Sequence, residues 1–190
     1  GPGEVLVKVH AASINYRDFL IAMGFYGSPG LTLPLVPLSD GAGEVVEVGD
    51  GVTQIEAGDR VTSLFWQDWI DGVANGTNRS ISTGCEAPGM LTEYALLPEL
   101  AVARFPDNLS YDEAATLPCA GLTAWTSLTT HARVKPGETV LLMGTGGVSL
   151  FGLQFAKALG ATTIVTSSSD EKLQRAQELG ADQVINYKET

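Results

Sequence analysis

A glycine-rich segment is the part of the sequence that most directly indicates chemistry. Gly144-Thr-Gly-Gly-Val-Ser149 lies between an apolar strand predicted over 138–143 and a helix predicted over 148–159. Glycines in such a turn let the backbone approach a pyrophosphate, and the helix N-terminus offers oriented N–H donors. Ser149 replaces the third glycine of the usual pattern, and serine is small enough to preserve helix–strand packing. The segment predicts a dinucleotide site, and an ordinary strand-to-helix turn is the alternative.

The end of the next predicted strand bears on which dinucleotide would bind. An acidic residue there, about 20 residues after the glycine turn, would accept a hydrogen bond from a ribose 2′-hydroxyl. The strand instead ends in Thr166-Ser-Ser-Ser169, and the first acid is Asp170. Ser167, Ser168 and Lys172 can donate hydrogen bonds or positive charge to a 2′-phosphate. The pattern favours NADPH over NADH, although Asp170 adds unfavourable charge nearby.

The second half of the sequence predicts a β-α-β-α-β unit with a parallel sheet, which would position these cofactor-binding residues. The helix over 148–159 is apolar almost all round, which predicts that it is largely buried. The first predicted strand would be a bare apolar edge, because half of a doubly wound sheet is absent. We therefore expect the sequence to be incomplete or its partner to come from another chain. The predicted strands cover 138–143, 162–166 and 184–186, and the helices 148–159 and 171–179.

The first 110 residues predict a barrel-like β domain made of short alternating strands. A long loop over 65–88 carries Trp66 and Trp69, which either line an apolar substrate slot or pack within the loop. The composition changes after Pro106, so we place a substrate domain at 1–108 and expect its N-terminus to be missing. Residues 109–190 are predicted to form linking helices and the N-terminal half of a dinucleotide-binding domain, whose C-terminal part we expect to be missing. The predicted strands cover 4–10, 43–49, 58–64, 91–97 and 101–105.

The sequence also predicts two helix starts and one helix interruption after residue 108. Ser110 with Glu113, and Ser168 with Glu171, have the spacing of capping boxes. Pro118 should end or kink the helix that Ser110 opens.

Composition excludes several classes of function. Acidic residues outnumber basic ones 22 to 11, and the net charge of −11 disfavours binding to nucleic acid or anionic membranes. No apolar run approaches the roughly 20 residues that span a bilayer. The two cysteines form no disulfide framework, and no signal peptide is visible, so a cytoplasmic location is expected.

Several motifs occur in an order that resembles the medium-chain dehydrogenase/reductase superfamily. The resemblance covers nearly the whole chain and is nearest to the zinc-free quinone oxidoreductase-like branch. It implies a GroES-like β domain followed by a Rossmann domain, and NADPH as cofactor. Besides the glycine turn, the motifs are Gly3–Val9, Ser13–Asp18, Asp40–Glu44, Gly58–Val61, Leu117–Trp125, Gly137–Val140 and Leu179–Asp182.

The same resemblance predicts that zinc is absent. The ligand positions of zinc-dependent members fall on Asn15, Ser39 and Cys119. An amide, a hydroxyl and one thiol cannot replace two thiolates and an imidazole. The family's structural zinc lobe needs four cysteines, and the 65–88 loop contains only Cys85.

Without a metal, hydrogen bonds must polarise the substrate carbonyl. The resemblance places Asn15 near the nicotinamide, with Tyr16 as a proton donor or a packing residue. Trp66 and Cys119 are the predicted substrate-binding residues, and Cys119 is equally well explained as a buried structural thiol. The predicted cofactor-binding residues are Thr123, Gly144, Thr145, Gly146, Gly147, Val148, Ser149, Ser167, Ser168, Lys172 and Tyr187.

Three functions are open at this stage. The first is a zinc-independent, NAD(P)H-dependent oxidoreductase that acts on a quinone, an enone or a related carbonyl compound, expected as a homodimer. The second is a zinc-type alcohol dehydrogenase. The third is a nucleotide-binding interaction protein without turnover.

Overall fold

The computed structural model describes residues 1–26, 31, 33–76 and 79–189, and residues 77 and 78 of the predicted 65–88 loop lie outside this set. The chain divides into two compact units, Gly1–Cys119 and Ala120–Thr190. This division lies after the boundary expected at 108/109, because Ala114 and Ala115 pack into a buried cluster with Ala42 of the first unit.

The first unit is built on an antiparallel sheet whose strands follow the order β4-β1-β2-β3-β5. The alternation predicted for the first strand is confirmed, since Val5 and Val7 are buried in the core with Val45. The register between the first two strands shifts twice, which bends the sheet at these points. The strands are β1 (Glu4–Ser13), β2 (Asp40–Val48), β3 (Arg60–Ser63), β4 (Tyr94–Pro98) and β5 (Val102–Arg104).

Two short helices accompany this sheet, α1 (Tyr16–Ala22) and α2 (Tyr111–Ala114). The capping box at α2 is confirmed: Ser110 Oγ accepts from the Glu113 N–H at 3.2 Å, and the Glu113 carboxylate accepts from the Ser110 N–H at 2.8 Å. The helix stops at Ala114, and Pro118 lies in a π-helical turn over Leu117–Gly121. A wider turn of this kind accommodates a residue that donates no backbone hydrogen bond.

The second unit contains the predicted β-α-β-α-β frame, with a parallel sheet in the order β6-β7-β8. Among the described residues β6 pairs only with β7, and its Leu141 and Met143 are 57% and 80% exposed, as expected for an apolar edge. The elements are α3 (Leu122–Thr126), β6 (Thr139–Met143), α4 (Gly147–Ala158), β7 (Thr162–Ser167), α5 (Asp170–Glu178) and β8 (Gln183–Asn186).

The prediction that α4 is largely buried is wrong. Only Gly152, Leu153 and Ala156 of this helix are buried, and Val148 is 43% exposed. One face of the helix packs on the sheet, and the apolar residues on its other faces remain accessible in this chain. Among the described residues, no helix has the length and apolar character needed to cross a bilayer.

Candidate functional site

The predicted cofactor-binding residues of the second unit follow the carboxyl ends of its parallel strands. The glycine turn comes directly after β6, Ser167 ends β7, and Tyr187 comes directly after β8. The pairing of Met143 with Thr166 and of Ser167 with Asn186 places these ends at one edge of the sheet. Ligands of open α/β sheets bind at this edge.

The glycine turn has the geometry that a pyrophosphate site requires. Gly144 has φ +84°, a conformation that L side chains rarely adopt, and Gly146 is the extended N-cap of α4. A Cβ atom at either residue would meet nothing within 4 Å, so the space in front of the turn is open. The helix begins at Gly147, and its first N–H groups lack intrahelical partners. The turn therefore fits a phosphate-bearing ligand.

Ser149 has a structural role that explains why it can replace the third glycine. Its hydroxyl donates to the carbonyl oxygen of Met143 at 3.0 Å, which joins the first turn of α4 to the end of β6. The Gly144 N–H donates to Thr166 Oγ1 at 3.3 Å and links the glycine turn to β7. Thr145 and Val148 complete the segment, and Gly147 is packed closely, since a Cβ there would lie 3.4 Å from that of Ala120.

The serines after β7 differ from the prediction in one respect. The N-cap of α5 is Ser169, whose hydroxyl accepts from the Lys172 N–H at 3.4 Å, so the capping box of Ser168 with Glu171 is wrong. Ser169 has extended backbone angles, and α5 begins at Asp170, one residue before the start predicted at 171. Ser167 is buried and its hydroxyl accepts from the Ser169 N–H, whereas Ser168 is half-buried. The hydroxyl of Ser168 is thus not used by this cap.

Charged and aromatic residues surround these serines. Lys172 is exposed in the first turn of α5 and forms no ion pair within the described part of the chain. Asp170 is the acidic residue whose charge disfavours a bound 2′-phosphate. Its carboxylate accepts a hydrogen bond from Asn186 Nδ2 at 2.7 Å. Tyr187 is 58% exposed, and its N–H donates to the Ser167 carbonyl at 3.1 Å. Thr123 is exposed on α3.

The predicted catalytic residues of the first unit lie at the start of α1. Asn15 is the extended N-cap, and its N–H donates to Asp18 Oδ2 at 2.7 Å. Tyr16 is 75% exposed and its ring stacks on that of Phe19, with 6.0 Å between centroids. The Tyr16 hydroxyl is therefore not packed into the core of this unit. Asn15 Nδ2 and Asp18 Oδ1 are buried without a hydrogen-bond partner in the described residues.

Asp40 is a central residue of this cluster that the sequence interpretation left without a role. Its side chain is fully buried, Oδ1 accepts from Ser39 Oγ at 2.6 Å, and Oδ2 accepts from the Cys119 N–H at 2.9 Å. Burial raises the pKa of Asp40 above its ordinary value of 3.8, and the hydrogen bonds from Ser39 and Cys119 oppose that rise. Asn15 lies close enough to lower the pKa as well. Asn15, Ser39 and Cys119 therefore all interact with the Asp40 carboxyl group.

The donor set of this cluster does not fit a zinc ion. Cys119 and Asp40 contribute one thiol and one carboxyl, and burial and the nearby charge of Asp40 raise the pKa of the half-buried Cys119 thiol to about 11 in the metal-free protein. Ser39 and Asn15 add only a hydroxyl and an amide. Within residues 1–26, 31, 33–76 and 79–189, no group of three or more His, Cys, Asp or Glu side chains could hold a metal ion.

The two tryptophans of the 65–88 loop have different surroundings. Trp66 forms an isolated antiparallel bridge with Ser82, and its ring meets that of Phe65 edge-on at 5.1 Å. Trp69 Nε1 donates to the carbonyl oxygens of Asp71 and Gly72, so its indole is engaged within the loop itself. Both tryptophans therefore have their partners within the 65–88 loop, and Trp66 bridges its two ends.

Comparison with known proteins agrees with both units. The model of the alcohol dehydrogenase GroES-like domain matches residues 1–107, and that of zinc-binding dehydrogenases matches residues 147–190. A zinc-type alcohol dehydrogenase-like protein of Schizosaccharomyces pombe is 51% identical over 100% of this chain and 55% of its own length. A quinone oxidoreductase of Pseudomonas aeruginosa is 36% identical over 98% of the chain and 51% of its own length. The chain spans about half the length of the curated relatives it matches.

Solved structures give the same result. A putative alcohol dehydrogenase of Sinorhizobium meliloti superposes with a TM-score of 0.93 at 46% identity, covering 100% of this chain and 56% of that one. An Escherichia coli quinone oxidoreductase complexed with NADPH superposes with a TM-score of 0.80 at 34% identity, covering 99% and 51%. The chain therefore belongs to the alcohol dehydrogenase family with a GroES-like domain, within the medium-chain dehydrogenase/reductase superfamily.

Proposed function

We propose that this chain is part of a zinc-independent oxidoreductase that transfers hydride between NADPH and a quinone, an enone or a related carbonyl compound. The observation that carries the proposal is the open glycine turn at the head of α4 beside a strand end without an acid. The relatives named as quinone oxidoreductases, one of them complexed with NADPH, support the same chemistry.

Each part of the cofactor would have its own residues. Backbone N–H groups of Gly144–Ser149 would hold the pyrophosphate at the positive end of α4. Ser168 and Lys172 would contact the 2′-phosphate, with Ser167 supporting them through its bond to Ser169. Thr123 and Tyr187 are the remaining proposed contacts. When bound, NADPH supplies the hydride.

The residues of the first unit would act on the substrate. The Asn15 amide would donate a hydrogen bond to the carbonyl oxygen, on which negative charge develops during reduction. The exposed Tyr16 hydroxyl would donate the proton that completes the reduction. Cys119, held as a neutral thiol, and Trp66 would form apolar contacts with the substrate.

Steady-state cofactor oxidation by the purified full-length protein tests this function. NADPH and NADH are each compared with a quinone, an enone and, in the reverse direction, a panel of alcohols, and reactions without protein correct for direct quinone reduction. We expect turnover of the quinone or enone with a clear preference for NADPH. Tight NADPH binding without any turnover would instead indicate a nucleotide-binding interaction protein.

A zinc-type alcohol dehydrogenase is the second candidate, because the relative that is 51% identical bears that description. Alcohol oxidation that depends on about one bound zinc per chain would favour it over our proposal.

A further inference from the structure

A buried arginine follows the proposed catalytic pair directly in the sequence. Arg17 is only 8% exposed, although a guanidinium is always charged. Its guanidinium carbon lies 4.4 Å from the ring centroid of Phe65 and 5.2 Å from that of Tyr26. Two aromatic rings thus cover the charge, an arrangement that stabilises a partly desolvated guanidinium.

The same guanidinium connects α1 to the segment that carries Trp66. Arg17 Nη1 donates to the Thr83 carbonyl at 2.9 Å, and Nη2 donates to Ser82 Oγ. Ser82 is the bridge partner of Trp66, so Arg17 links the Asn15–Tyr16 turn to the backbone that opposes Trp66. Ser82 and Thr83 lie 65 and 66 positions after Arg17 in the sequence, so both hydrogen bonds connect remote segments.

A carboxylate extends this connection. The Ser82 hydroxyl donates to Glu86, and Glu86 also accepts the Ser82 N–H at 2.9 Å. The Ser82 hydroxyl therefore bridges the Arg17 guanidinium and the Glu86 carboxylate. Hydrogen bonds in such a chain polarise one another. Lysine cannot reproduce this arrangement, because an ammonium lacks the planar fork that donates in two directions and stacks between rings.

We propose that Arg17 is a positioning residue that fixes the Asn15–Tyr16 turn against the Trp66 segment and so determines how the carbonyl substrate fits. This inference rests on the proposed function and adds to it a residue that touches neither substrate nor cofactor. Its effect is on the alignment of Tyr16 and Trp66, and small misplacements of reacting groups slow a reaction by about 100-fold.

The first unit contains a matched control. Arg60 also lies between two rings, 4.6 Å from the Phe105 centroid and 4.7 Å from that of Tyr111. It donates to two backbone carbonyls, Asp107 at 3.2 Å and Leu109 at 2.7 Å. Arg60 therefore has the same kind of contacts as Arg17 but is attached to none of the proposed catalytic or substrate-binding residues.

The test uses full-length protein carrying Arg17→Lys, Arg17→Met, Arg60→Lys or Arg60→Met. We expect both methionine variants to lower Tm. The two Arg17 variants should lower kcat/KM for the quinone by about 10- to 100-fold with the Kd for NADPH unchanged. The Arg60 variants should keep kcat/KM within about 2-fold of wild type. Equal kinetic losses at both positions, or wild-type kinetics in Arg17→Lys, would overturn the proposal. Should Arg17→Met not fold, Arg17→Lys carries the comparison.

A second readout separates this proposal from the proposed function. In a full-length background in which Trp66 is the single tryptophan, with Trp69, Trp125 and any tryptophan outside this chain replaced by Phe, we record emission and iodide quenching. Changes with Arg17→Lys but not with Arg60→Lys would support the positioning role even if wild type shows no quinone turnover, in which case only the proposed function fails. Unchanged Trp66 fluorescence in Arg17→Lys would overturn the positioning role.

Discussion

Removing the Asp40 carboxyl should destabilise the first unit more than neutralising it does. In Asp40→Ala, the Ser39 hydroxyl and the Cys119 N–H both lose their acceptor, and Ser39 is fully buried. A buried donor left unpaired costs about 1–3 kcal/mol, so the two together predict a loss of about 2–6 kcal/mol.

Asp40→Asn keeps most of these contacts. The amide oxygen can accept from the Cys119 N–H, and the Ser39 hydroxyl can rotate to accept from the amide nitrogen. We expect a change in unfolding free energy of about 1 kcal/mol. Urea unfolding of the two variants beside wild type measures both values, and equal losses for alanine and asparagine would refute this assignment of contacts.

The pH dependence supplies a sharper test of Asp40. Burial raises its pKa in the folded state above 3.8, so the folded state holds the proton more tightly than the unfolded state. The contribution of Asp40 to stability therefore falls as pH rises from about 3.8 through the folded pKa. Asp40→Asn should gain stability relative to wild type over that window, and a difference that is constant or shrinks with pH would contradict the reasoning.

Asp182 provides a control of opposite sign. Hydrogen bonds from Lys157 and Thr163 lower its pKa to about 2, so its contribution is present above the ordinary value of 3.8 and is lost as pH falls toward 2. Asp182→Asn should therefore lose stability relative to wild type as pH rises from about 2 to 4. The same direction of change in both variants would show that the two signs were not assigned correctly.

Further predictions concern the second unit and the thiol. Lys172→Ala should weaken NADPH binding roughly 10- to 150-fold and spare NADH, and equal effects in a fluorescence titration would remove Lys172 from the 2′-phosphate site. Because its pKa is raised from 9.0 to about 11, Cys119 should react with iodoacetamide at pH 8 roughly 10- to 100-fold more slowly than a free thiol, and rapid labelling by mass spectrometry would argue against a neutral thiol. Ser169→Ala should lower the stability of α5 by about 0.5–2 kcal/mol, whereas Ser168→Ala should not, and the reverse order of unfolding midpoints would restore Ser168 as the cap.

Local patterns predicted the frame of both units well. The alternation at Val5 and Val7 identified β1, the Ser110–Glu113 spacing identified the cap of α2, and the glycines after β6 identified the turn at the head of α4. Each of these signals depends on residues within a few positions of one another. Among three consecutive serines, spacing alone chose Ser168 instead of Ser169, because backbone angles decide which residue becomes the cap.

The roles of Arg17 and Asp40 could not be predicted from the sequence. Their partners lie far away along the chain, with 65 positions between Arg17 and Ser82 and 79 between Asp40 and Cys119. Both residues stand inside motifs that carried the family resemblance, and their position beside Asn15 and Ser39 was the only available signal. Hydrogen bonds between remote segments depend on the folded arrangement of the sheet, which periodicity does not determine.

The absence of a catalytic metal is the central claim of this account, and turnover by metal-stripped protein tests it most directly. Full-length protein is dialysed against a strong chelator, its zinc content is measured, and NADPH oxidation with the quinone is compared before and after. We predict unchanged turnover in protein containing far less than one zinc per chain, because an amide (Asn15) and a hydroxyl (Ser39) stand at two of the three ligand positions that the family resemblance implies, and the described residues contain no group of three or more metal-binding side chains. Activity that disappears with the zinc and returns when zinc is added back would contradict the account.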